Sequence, residues 1–389
     1  MKSTTNIAKE IQAYLVEHEP EMLEFLKRIV AMESPSRSIS SQHELFSVLS
    51  KAFETVGYYS LHVPGRKSGG YLYARPKNRK KGVPVQLLVG HCDTVWPLDT
   101  LQNLKIVERD KRLKGPGVYD MKAGITQMLF ALKTIRELKL EAEVIPVILI
   151  NSDEEIGSHE STHIISRLAK ISKRAYVLEP PLGLDGKLKT GRKGIGRFAI
   201  TVKGKAAHAG LDPAKGVNAI VELSHQVQKL FEMNDLNRGI TVNVGMIEGG
   251  ISANVIAPTS KAVVDVRVEN IEDGEYITNR ILSLKPTLPD VDLKIVGGIG
   301  RPPMVKNKRN EQLWNTAKEL GKELGMNLDD ATVGGGSDAN TTSQHTATLD
   351  GLGTPGDGAH AEHEFIFHER LKDRTALLVL LLLSKPIET

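Results

Sequence analysis

Cysteine is nearly absent from this chain. A lone Cys92 among 389 residues excludes an intramolecular disulfide and fits a reducing compartment. Charge imbalance is lacking as well: 51 Lys and Arg against 47 Asp and Glu leave a formal net charge of +4, spread along the sequence. That distribution gives no reason to expect nucleic acid as a partner, whereas small anions remain suitable. Long apolar runs are missing too. The longest, residues 376–383, falls far short of the roughly 20 residues that cross a bilayer, and reads as a buried helix. Glu10, Glu17, Glu19 and Glu21 stand where a signal peptide would need an apolar core, so the expectation is a cytoplasmic protein without a membrane partner. No internal repeat or low-complexity segment occurs.

What is present is apolar material for two cores. The length exceeds the usual limit for a single core, and 40% hydrophobic content can fill two domains. Met22, Leu23, Leu26, Ile29 and Val30 recur at helical spacing, and Ser34-Pro35 stops that opening helix. Residues 85–89 and 144–150 are short, largely apolar runs separated by a helical pattern over 126–135, as expected for buried parallel strands with a crossover helix. Pro146 cannot donate to a ladder, so its strand begins after it or has a free edge there. In such sheets ligands bind beyond the carboxyl ends of the strands; His91 and Asp93 follow the first run, and Asp153, Glu154 and Glu155 the second. From about Gly186 the texture changes to strand 198–202, helix 217–231, strands 240–247 and 262–268, helix 271–284 and strand 291–296. This βαββαβ order is that of a ferredoxin-like sandwich. Residues 77–81, with four basic side chains, read as a solvated loop.

Five short polar segments carry the chemistry: Gly90-His91-Cys92-Asp93, Tyr119-Asp120-Met121-Lys122-Ala123-Gly124, Ser152-Asp153-Glu154-Glu155, Leu178-Glu179-Pro180 and Gly358-Ala359-His360. Imidazoles with carboxylates suit zinc or a related divalent ion, and a carboxylate not spent on the metal can act as base toward a water. In this order the segments resemble the M20 family of di-zinc amidohydrolases, most closely its glutamate carboxypeptidase branch, over nearly the whole chain. The resemblance implies an α/β fold: a zinc-peptidase-type catalytic domain with a mixed, largely parallel sheet over 1–185 and 298–389, and an inserted ferredoxin-like α+β lid and dimerisation domain over 186–297. It implies a pair of Zn2+ ions per subunit, with Co2+ or Mn2+ as substitutes, and a homodimer.

The resemblance also assigns roles. His91 is a metal ligand and Asp93 the group that holds its tautomer. Asp120 bridges the two ions, Glu155 and Glu179 bind one each, and His360 completes the set with His363 in reserve. Glu154 is the base that takes a proton from the attacking water and passes it to the leaving nitrogen. Plainer readings stand beside these: Asp120 as a helix N-cap, Glu154 and Glu155 as solvated loop residues, His159 and His163 on a solvated helix face. His208 resembles the histidine that reaches across the dimer to polarise the scissile carbonyl. Asn254 and Arg267 match positions that hold a substrate α-carboxylate, Lys187 and Arg301 positions that accept a glutamate side chain, and Gly335 and Gly336 the glycine turn beside the substrate. Ala123 departs from the family's glycine, and Trp96 would narrow the substrate pocket.

The expected function is therefore release of a C-terminal amino acid, glutamate or a similar acidic residue, from an N-acyl or peptidyl amide. The alternatives are an N-acyl amino acid deacylase or a di- or tripeptidase with the same mechanism. One alternative of another class is an inactive metal-binding homologue acting as a binding protein, against which an intact Glu154 argues.

Overall fold

Strands that are apolar throughout lie in the middle of a sheet, because both of their faces are covered. In the computed structural model, which describes residues 3–80 and 82–386, Val85–His91 is buried at every position. Ile145–Asn151 and Ser172–Val177 pair with it in parallel. The full order is Tyr58–Val63, Tyr71–Pro76, Ile145–Asn151, Val85–His91, Ser172–Val177, Ala347–Leu349. The first two strands run antiparallel to their neighbours and the rest are parallel, giving a mixed, largely parallel sheet. Helices Ala123–Glu137 and Glu369–Leu383 cover it with almost wholly buried side chains, and the apolar run 376–383 is the core of the latter. No helix of the described residues is long and apolar enough to cross a membrane.

One local expectation changes, and two others are made specific. The opening of the chain holds two helices, Thr4–Glu17 and Glu19–Val30, and the second ends at Ala31, before Ser34-Pro35. The strand at Pro146 begins before the proline, at Ile145. Its ladder to Tyr71–Pro76 starts only at Ile148, so the missing N–H faces an edge not yet paired. In the loop 77–81, Lys77 and Lys80 are exposed, while Lys81 lies outside the described residues.

The chain forms two compact units: Met1–Gly191 with Lys306–Val333 and Ser337–Thr389, and Arg192–Val305 with Gly334–Gly336. The second unit is ferredoxin-like. Its antiparallel sheet runs Thr241–Gly249, Thr259–Val268, Gly194–Lys203, Asp292–Arg301, and helices Ala219–Phe231 and Ile271–Leu282 bury their apolar stripes in a separate core. Alternation sets the face: Phe198, Ile200 and Val202 point into that core, and so do Val264, Val266 and Val268.

A smaller sheet of the first unit decides how the site closes. Its order is Gly356–Asp357, Phe365–Phe367, Arg112–Lys114, Val107–Arg109. Phe365 lies opposite Lys114, which sets the segment after Lys114 beside the turn that precedes Phe365. Asp120 belongs to the first of these segments and His360 to the second.

Candidate metal centre

Three parallel strands end together, and their register delivers three of the motifs to one place. His91 pairs with Asn151 and the Cys92 amide donates to Asn151 O at 2.8 Å, so Asp93 faces the Asp153–Glu155 turn. The Leu178 amide donates to Val89 O, which sets Glu179 beside His91. Asp120 enters from the turn ahead of helix Ala123–Glu137. Two glycines make that approach: Gly117 has φ +73°, and a Cβ on Gly124 would lie 2.2 Å from Leu178 O. The departure at Ala123 is thus at the tolerant member of the pair, since a methyl group is accepted there and not at Gly124.

Two sets of ligand atoms result, and Asp120 belongs to both. His91, Asp120 and Glu179 converge in one; Asp120, Glu155 and His360 converge in the other. His91 Nε2 lies 3.2 Å from Asp120 Oδ1 and 3.4 Å from Glu179 Oε1. His360 Nε2 lies 3.4 Å from Asp120 Oδ2 and 3.0 Å from Glu155 Oε2. Each oxygen of one carboxylate therefore faces a different set. Asp120 makes no helix cap, because Lys122 occupies the N-cap position of the following helix. His363 belongs to neither set; His360, held at φ +64° after Gly358, is the histidine that reaches in.

The electrostatics demand positive charge at both places. His91 Nδ1 approaches the Asp93 carbonyl oxygen at 3.0 Å and must donate to it, which leaves Nε2 as a lone pair against two carboxylates unless a proton or cation intervenes. Burial alone would lower the His91 pKa, but contacts with Asp120, Asp93 and Glu179 raise it well above the ordinary value. Contacts with Asp120 and Glu155 push His360 up to about 10. Burial pushes Glu155 up to about 8 and Glu179 upward as well, with the Asp120 charge adding to both. Burial opposes ionisation of Asp120 too, yet hydrogen bonds from His360 and His91 hold it well below the usual range. Glu155 Oε1 is buried with no hydrogen-bond partner among the described residues. Imidazole lone pairs, clustered carboxylates and an unpartnered buried oxygen together fit a pair of divalent ions, and His91, Asp120, Glu179, Glu155 and His360 are the residues that would hold them.

Glu154 stands apart from its neighbour. It contributes to neither set, and its charge adds to the upward shifts of Glu155 and Glu179. Its backbone is fixed by Asp93, whose carboxylate accepts from the amides of Glu154 and Glu155 and from Ser36 Oγ. Asp93 thus positions the acidic turn through its side chain and His91 chiefly through its carbonyl.

Glu364 was not singled out by the sequence, and it holds the backbone of the turn that carries Asp120. It is buried and accepts from the amides of Gly117, Tyr119 and Asp120 and from Trp96 Nε1. An acidic residue shortly after the His360 motif was its only signal. His159 is exposed ahead of helix Thr162–Ile171 and His163 is exposed on it, so the two form no pair on one helix face.

The remaining residues divide between the units. Lys187 is in the first, where its ammonium pairs with Asp329 at 3.1 Å and Asp185 at 3.8 Å. His208, Asn254, Arg267, Arg301, Gly335 and Gly336 are in the second. His208 Nδ1 accepts from the amides of Gly210 and Leu211, which leaves Nε2 as the donor on an exposed ring. The Ala209 amide donates to Asn254 O and His208 pairs with Val255 in an antiparallel bridge, so His208 and Asn254 lie on adjoining stretches of chain. Arg267 and Arg301 both lie opposite Ile195, on its two flanks. Arg267 is clamped by Asp265 and donates to Gly334 O, while Arg192, which the sequence did not reveal, donates to Gly335 O. A Cβ at Gly336 would strike Ile195 and approach Arg301. The glycine turn therefore exposes backbone beside three arginines.

Comparison with known proteins agrees with this geometry. The peptidase family M20/M25/M40 pattern matches residues 87–384. Carboxypeptidase G2 of Pseudomonas sp. (strain RS-16) is 28% identical over 354 residues, spanning 89% of this chain and 84% of that protein. Acetylornithine deacetylase of Pectobacterium atrosepticum is 30% identical over 270 residues, spanning 64% of this chain and 68% of that one. Among solved structures, aminopeptidase PepT from Bacillus cereus superposes with a TM-score of 0.77 at 22% identity, covering 94% of this chain and 98% of its own, a likeness of fold.

Proposed function

The chain belongs to peptidase family M20/M25/M40 and is a metal-binding hydrolase, and on that premise we propose that it releases a C-terminal amino acid, glutamate foremost, from an N-acyl or peptidyl amide. The observation that carries the reading is the split of the Asp120 carboxylate between two His-carboxylate sets, one of them including Glu155, the neighbour of Glu154. We take the ions to be zinc, with cobalt or manganese as substitutes. When bound, they polarise the scissile carbonyl and make a water nucleophilic near neutral pH. Glu154 takes the proton from that water and returns it to the leaving nitrogen, and Asp93 holds the backbone from which Glu154 acts. A carboxylate placed next to the ligand Glu155 but outside both sets favours catalysis over metal binding alone.

Recognition of the leaving amino acid falls to Asn254, Arg267, Arg301 and the Gly335-Gly336 turn, with Lys187 contributing less because its charge is shared with Asp329 and Asp185. Similarity to a carboxypeptidase favours this reading, and similarity to acetylornithine deacetylase favours a second, an N-acyl amino acid deacylase with another leaving group. Initial rates on matched N-acyl glutamate, alanine, leucine and lysine substrates separate the two. Arg301→Met should lower kcat/KM for the glutamate substrate by roughly 10-fold to 150-fold and leave leucine nearly untouched, as expected for loss of a charge-assisted hydrogen bond. An equal fall on glutamate and leucine, or a wild type that prefers neutral residues, removes the glutamate assignment and keeps the hydrolase.

We further propose a cytoplasmic homodimer in which His208 of one protomer donates from Nε2 to the developing oxyanion on its partner, an effect worth about 3 to 4 kcal/mol where such a donor is removed. Mixing inactive His208→Ala chains with inactive Glu154→Gln chains should then restore part of the activity, since one of the two sites in each heterodimer is intact. Confirmed subunit exchange without recovery counts against action across a dimer.

A further inference from the structure

Next to the metal centre, and entirely within the first unit, lies a cleft of about 710 Å3 to which no role has been given. That volume suits a ligand group of substantial size. One wall is the ribbon of strands Val107–Arg109 and Arg112–Lys114, the other the turn that carries Ala361 next to His360. Alternation along the ribbon puts Leu113 inside and Arg112 and Lys114 outside, so the cations share a face. Arg109 lies directly opposite Arg112 in the ladder. Like charges so placed destabilise a strand pair.

The local acids do not neutralise this wall. Arg109 is paired with Asp110, whereas Arg112 rests over the Phe365 and Phe367 rings, 4.4 and 5.5 Å from their centroids. Lys105 and Lys114 make no ion pair among the described residues. Glu364, at the floor, is buried and spent on backbone amides and on Trp96, and Glu362 is exposed at the mouth. Trp96, half-buried and pinned by its Nε1 donation to Glu364 Oε2 at 3.1 Å, gives the cleft an aromatic side. The same Glu364 accepts from the Asp120 amide, so this wall and the bridging carboxylate share one support.

We propose that this cleft binds the acyl half of the substrate and selects a planar acyl group carrying a negative charge, through Lys105, Arg112, Lys114 and Trp96. The assignment rests on the proposed amide hydrolysis. Within the first unit the cleft adjoins His360 through Ala361 and Asp120 through Glu364, which suits it to the group on the carbonyl side of the scissile bond.

The experiment crosses both halves of the substrate on the metal-loaded full-length protein. N-(4-carboxybenzoyl) and N-(4-methylbenzoyl) derivatives of glutamate and of alanine are compared for wild type and for the Lys105→Met, Lys114→Met double variant. The wild type should prefer the carboxybenzoyl group on either amino acid by at least roughly 5-fold to 10-fold, the range of partly exposed ion pairs acting together, with the preference shrinking in high salt. The double variant should lose that preference while its rate on methylbenzoyl substrates changes less than about 2-fold. The Lys105→Arg, Lys114→Arg variant, which preserves charge, should retain it. Calorimetry with terephthalate against 4-methylbenzoate gives the same comparison without turnover. A wild type indifferent to the acyl charge in both assays, or a double variant that keeps the preference, overturns the proposal. An acyl preference that persists although glutamate is not favoured sinks only the glutamate reading, and loss of rate that follows the amino acid instead of the acyl group assigns the cleft to the leaving half and overturns this one.

Discussion

Glu154→Gln should lower kcat by roughly 100-fold to 10,000-fold while the protein retains its metal, the range expected when a general acid-base group is removed. The two halves of that result are separable here because Glu154 contributes to neither ligand set, whereas its neighbour Glu155 supplies Oε2 to the set that includes His360. Glutamine keeps the shape and removes the proton acceptor. Its backbone should stay in place, since the amide at 154 is held by Asp93 regardless of the side chain. Metal analysis beside single-turnover kinetics checks the expectation. A variant with full metal content and near wild-type kcat would move the base elsewhere, and one that loses metal would make Glu154 a ligand.

Much of this site could be read in the sequence because its residues sit where regular structure ends. His91 ends one apolar run that forms a parallel strand and the acidic turn follows a second, so a one-dimensional pattern of strand then polar motif already implied a common edge for those two; Glu179 follows Ser172–Val177, whose Ser-Lys-Arg opening gives no such pattern, and only the family resemblance pointed to it. His360 was harder, since three histidines crowd the same stretch. The pairing of Phe365 with Lys114 and the left-handed backbone at His360 select it, and both depend on tertiary contact. Glu364 and Arg192 were missed for the same reason: one accepts from amides far away in sequence, the other meets a glycine turn that arrives only with the returning chain. Helix Thr4–Glu17 escaped because its buried face is only Ala8, Ile11 and Leu15, too sparse a stripe to stand out among polar residues. Pro146 could be judged from chemistry alone, but which of its two permitted placements occurs depends on how far the neighbouring ladder extends.

Removal of the Asp120 side chain is expected to do more damage than removal of any other member of the two sets, because its two oxygens face different sets. His360→Ala leaves His91, Asp120 and Glu179 together, so one ion should persist with the other weakened. Asp120→Ala takes an oxygen from both sets at once and leaves Glu155 and Glu179 with one fewer shared partner. Its main chain has independent support: the amide at 120 donates to Glu364 Oε1 at 3.1 Å, and Glu364 also holds Gly117 and Tyr119, so loss of the carboxylate need not unravel the turn. Elemental analysis after dialysis should therefore show both ions depleted in Asp120→Ala and mainly one in His360→Ala. Turnover in Asp120→Ala should fall roughly 1000-fold or more, since metal ions supply several kcal/mol of transition-state stabilisation in such sites. Circular dichroism and thermal melting of the metal-loaded proteins separate a chemical loss from a folding loss. If Asp120→Ala holds both ions as tightly as the wild type, the carboxylate is not a bridge, and the two sets would have to be read as independent sites.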